Sequence, residues 1–89
     1  MARMASWDDV RHSAERGDGV AAFELAMGHA SGSGGLAVDL VRAHCWFNVA
    51  CARGYREGQA WRQEIAAEMS AAEISDAQRM ARTALRAIA

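Results

Sequence analysis

The chain has 89 residues, 52% of them hydrophobic, and its ten arginines against eleven acids give a net charge of -1, which offers no global attraction to nucleic acid or an anionic membrane. No apolar run approaches the ~20 residues of a membrane span. Met1 to Trp7 leads straight into Asp8 and Asp9 without the apolar centre of a signal peptide, so no membrane partner and a cytoplasmic location are expected. Proline is absent, alanine dominates and β-branched residues are scarce, which specifies an all-α chain forming one domain over 1–89.

Ser6 followed by Asp9 predicts the start of a first helix within 5–17, with Met4, Trp7, Val10 and Ala14 facing inward and Gly17 closing it. Asp18 caps a second helix carrying Phe23, Leu25, Ala26, Met27 and Ala30, which the loop Ser31 to Gly35 breaks. Asp39 opens a third, running to Arg53. Its stripe of Leu40, Ala43, Phe47 and Ala50, with Trp46 and Val49 beside it, is wider than one partner helix needs. A fourth follows Tyr55 within 55–69, with Trp61, Ile65 and Met69 expected inward. Ser70 and Glu73 form a capping box that opens the last, over 70–89, with Ile74, Ala77, Ala81, Ala84, Leu85 and Ile88 on its apolar face. The short connections predict antiparallel neighbours.

The end of the third helix repeats, weakened, 37 positions upstream: Arg16 and Gly17 correspond to Arg53 and Gly54, Ala14 to Cys51 and Val10 to Phe47. A period of this size between helices is the signature of stacked helical hairpins. The segment Ala22, Leu25, Ala26, His29, Gly32, Gly34, Asp39, Leu40, Arg42, Ala43, Trp46, Phe47, Ala50, Cys51 and Gly54 resembles one unit of the Sel1-like repeats, relatives of the tetratricopeptide repeats. Ala26 stands where the family has glycine, His29 and Leu40 where it has tyrosine, Arg42 where it has lysine, and one residue is inserted between Gly34 and Asp39.

The resemblance implies a short right-handed α-α superhelix: a partial leading helix (5–17), a full repeat (18–54), a degenerate helix (55–69) and a closing helix (70–89) like that of many bacterial members. It implies a non-enzymatic adaptor that binds a peptide, a helix or a second copy of itself, with no cofactor. Carried over from the concave surface of such stacks, the candidate partner-binding residues are Val20, Phe23, Glu24, Met27 and Ala30. Fewer than the customary three repeats are present, which makes self-association or docking onto a partner expected.

Other readings of the residues point away from chemistry. His44 and Cys51 stand two helical turns apart, ~10 Å, too far to share one metal ion, and no CxxC or HxxxH pair occurs. Cys45 and Cys51 point to different sides of one helix, so they cannot bridge each other and no disulfide is expected. His44 is not placed to serve Cys45 as a base. The GSGG loop lacks the preceding strand and following lysine of a phosphate cradle, and its glycines are explained by turns at positive φ. The alternative function is a nucleic-acid-binding regulator using the basic stripe Arg79, Arg82 and Arg86.

Overall fold

The computed structural model describes residues 6–88, so Met4 and the first and last residues of the expected helix ranges lie outside the described residues. Five helices follow in order: α1 (Trp7–Glu15), α2 (Gly19–Ser31), α3 (Leu40–Ala52), α4 (Glu57–Ala66) and α5 (Ala71–Ala87), with a single 3-10 turn at Ser33–Gly35. Among the described residues there is no strand, and no helix is long and apolar enough to cross a membrane. The shortest dimension is 19 Å, about two helix diameters, so the core is at most two helices deep.

Four of the described helices, α1, α2, α3 and α5, start where their caps predict, whereas α4 has no side-chain cap. Ser6 and Asp9, and again Ser70 and Glu73, exchange reciprocal hydrogen bonds, while Asp18 accepts from the Ala21 amide and Asp39 from the Arg42 amide. The 37-residue correspondence holds at the level of single hydrogen bonds. Gly17 N–H donates to Ala14 and Asp18 N–H to Ser13; 37 positions on, Gly54 N–H donates to Cys51 and Tyr55 N–H to Ala50. Both glycines have positive φ, +100° and +93°, which completes two Schellman ends of one design. The two ends also meet: Arg53 Nε donates to the Gly17 carbonyl at 3.1 Å.

The wide apolar surface of α3 is used on three sides, against α2, α4 and α5, and Ala43, Phe47, Val49 and Ala50 are fully buried. Phe47 meets the Phe23 ring edge-on at 5.7 Å, and Phe23 lies 4.8 Å from Tyr55, which ties α2, α3 and the α3–α4 turn together. α5 packs back onto α3 rather than along α4. α1 packs on α2, and its Trp7 reaches further, donating from Nε1 to the Gly34 carbonyl at 3.1 Å. The turn containing Gly34 uses φ values of +71°, +61° and +89° at Gly32, Gly34 and Gly35, as the loop composition predicts.

α4 departs from expectation in part. Ile65 is buried and Met69, beyond the end of the helix, is half-buried against the core as expected, but Trp61 is 41% exposed. Gly58, Arg62 and Ile65 face α3. Close approach contributes: a Cβ on Gly58 would lie 3.0 Å from the Phe47 carbonyl, so a larger residue there would push α4 away from α3 by a few tenths of an ångström. A hydrogen bond adds to it, because Arg62 Nη1 donates to Asn48 Oδ1 on α3.

Candidate functional site

The five residues expected to bind a partner occupy one side of α2 but differ in exposure. Val20 and Glu24 are exposed and line a shallow cleft of about 220 Å³ against Asp9 and Asp18. Phe23, Met27 and Ala30 are half-buried and packed on the core, Phe23 with its ring between Phe47 and Tyr55. Phe23→Ala would therefore act on stability before it acted on any ligand.

Two larger clefts flank α5, and neither was visible in sequence. The first, about 550 Å³, runs between α3 and α5 with an apolar floor of Cys45, Trp46, Met80 and Ala84. Arg42, Arg79 and Glu15 stand around it, each already in an ion pair on its own helix: Arg42 with Asp39 at 3.3 Å, Arg79 with Asp76 at 2.9 Å and Glu15 with Arg11 at 3.5 Å. Local pairing leaves the rim nearly neutral, so apolar contact dominates what this groove offers. Burial pushes the Cys45 thiol up to about 11 against the opposing influence of Arg42, which keeps it protonated at neutral pH and a poor nucleophile.

The second cleft, about 640 Å³, opens where α4 and α5 part over α3. Asn48 stands at its centre. Arg62 Nη1 donates to Asn48 Oδ1 at 2.6 Å, and Asn48 Nδ2 lies 3.0 Å from His44 Nδ1. A guanidinium can only donate, so the Asn48 carbonyl must face Arg62 and its amide must donate to His44. His44 is thereby held as the neutral tautomer with its proton on Nε2. Its pKa is lowered by burial first and by the Arg62 charge second.

A pH dependence follows. The unfolded chain takes up a proton at His44 near pH 6.5, before the folded chain does, so stability falls as pH drops below about 6.5, by at most about 1.4 kcal/mol per pH unit. Urea titrations at stepped pH should show this slope, and His44→Gln, which keeps an acceptor for Asn48, should remove it. An unchanged slope in that variant would place the titration elsewhere.

The arginines of α5 are all exposed, on the side of the helix away from buried Ala77 and Ala81. Arg79 faces the apolar groove, Arg82 lines the cleft on the other side, and Arg86 is exposed. Cys51 is half-buried at the edge of the second cleft, and both cysteines are free. His29 is half-buried in α2, with a buried Nδ1 that has no hydrogen-bond partner. Among the described residues no three His, Cys, Asp or Glu side chains gather as metal ligands. The sequence sets polar Asn48 within the apolar run Cys45 to Ala52, but nothing local to it names Arg62 as its partner. In comparison with known proteins, the chain matches no family model and no curated protein.

Proposed function

We propose that the chain is a non-catalytic protein-interaction module, a short right-handed stack of antiparallel Sel1-like hairpins that receives an apolar helix or peptide in the groove between α3 and α5. The observation that carries this reading is the groove's composition: half-buried Met80 supplies adaptable thioether surface over the edge of the largely buried Trp46, and the surrounding charges are already paired. The stacked-hairpin part is supported by the two matching Schellman ends 37 residues apart. The nucleic-acid alternative has less support, since Arg79 of the exposed arginines on α5 is already engaged by Asp76.

The test is retention of a protein from the native cell by the immobilised chain, compared with Met80→Glu and with Val20→Glu on the far surface. Retention that survives high salt and is lost only in Met80→Glu is expected. Loss in Val20→Glu alone would return the site to α2. No retained protein, together with a monomer by light scattering, would overturn the interaction reading.

A further inference from the structure

A separate argument concerns the second cleft and does not depend on the interaction reading. Arg11, Arg42 and Arg79 each pair with a carboxylate three or four residues away on the same helix or at its cap. Arg62 and Arg82 have no such option. The positions three and four residues from Arg62 are Gly58, Gln59, Ile65 and Ala66, and those around Arg82 are Gln78, Arg79, Leu85 and Arg86. Neither guanidinium makes an ion pair with a described carboxylate, and no carboxylate lines the cleft they share.

Two positive groups without a paired carboxylate at one open, shallow cleft attract a counter-charge. Arg62 is also pre-positioned. Asn48 fixes one of its five N–H donors and leaves the others, and Gln78 adds an amide on the opposite wall. The remaining wall is apolar, with Cys51 and Leu85.

We propose that the cleft between α3, α4 and α5 binds a small organic anion, its carboxylate or phosphate head held by Arg62 and Arg82 and its short apolar body lying on Leu85 and Cys51. The volume, about 640 Å³, is in the range of small-molecule sites and exceeds what a bare ion needs. Binding should be felt at His44: an anion on Arg62 offsets the positive charge that helps to lower the imidazole's pKa, so the pKa should rise on saturation.

The experiment is an NMR titration of the whole chain with butyrate and with butyl phosphate, against chloride at matched ionic strength, following the Arg side-chain Nε and His44 ring signals. Saturable shifts at Arg62 and Arg82 with an upward move of the His44 pKa are expected, and the tighter probe identifies the head group. Arg82→Gln, at an exposed position, should weaken binding about tenfold, while Arg86→Gln should leave it unchanged. Arg62→Gln should do the same as Arg82→Gln, with circular dichroism confirming that the helices persist. Non-saturating shifts, shifts matched by chloride, or binding unchanged in Arg82→Gln would each overturn the site.

Discussion

Phe47→Ala is expected to cost about 3–5 kcal/mol, a large part of the total stability, which for a chain of this length should be about 4–13 kcal/mol. The side chain is fully buried on α3, the helix that packs against α2, α4 and α5, so the space left behind opens inside the core beside Phe23. The edge-on contact with Phe23 is lost as well, and Phe23 would be left against Tyr55 alone. Collapse around the vacancy is resisted from below, because Gly58 already brings α4 close to the Phe47 backbone. Urea titration should show a chain mostly unfolded at low denaturant. Trp61→Ala, a larger deletion at an exposed position, should shift the curve by no more than about 0.5 kcal/mol. If the two variants behaved alike, α3 would not be the centre of the fold.

The second large effect is a change of sign. Gly28 lies inside α2, where alanine is ordinarily favoured by about 1 kcal/mol. Here a Cβ would fall 2.5 Å from Trp7 Cη2 and 2.8 Å from Leu36 Cδ1. Trp7 cannot simply swing away, because its indole nitrogen is bonded to the Gly34 carbonyl. Gly28→Ala should therefore destabilise by about 1–3 kcal/mol. In a Trp7→Ala background the ring is gone and only the movable Leu36 methyl remains, so the same substitution should become neutral or stabilising. The four-variant cycle, measured by thermal unfolding, should give a coupling of about 2 kcal/mol. Equal effects in both backgrounds would mean that Trp7 does not rest on Gly28.

The contrast between these residues shows what can be read in a sequence of this kind. The capping residues Ser6, Asp18, Asp39 and Ser70 and the terminating Gly17 and Gly54 act on their own neighbours, so their roles follow from local chemistry. The α3 stripe also reads correctly, since helical periodicity alone puts Phe47 and Ala50 on one face. α4 reads only in part: Ile65 and Met69 pack inward as expected, but hydrophobicity ranks Trp61 above Arg62, while it is Arg62 that bonds Asn48, fourteen residues away on α3. Both clefts depend on α5 returning to α3, and nothing within Ala71 to Ala87 says which helix it will meet. For the same reason Trp46 and Met80, or Arg62 and Arg82, become neighbours only in three dimensions, whereas Val20 and Glu24 could be placed on a shared helix face in advance.

The gap between α4 and α5 has a dynamic consequence. Helix α1 is fastened twice, along α2 and through Trp7 to the turn, but α4 rests chiefly on α3. The free energy needed to free α4 is therefore a fraction of that needed to disrupt α3. Amide hydrogen exchange should report two levels, with Gln59 to Ile65 exchanging through a local opening and the α3 amides only through global unfolding. Occupancy of the cleft beneath Arg62 would then act as a clasp, slowing exchange in α4 while leaving the α3 amides near their original rate.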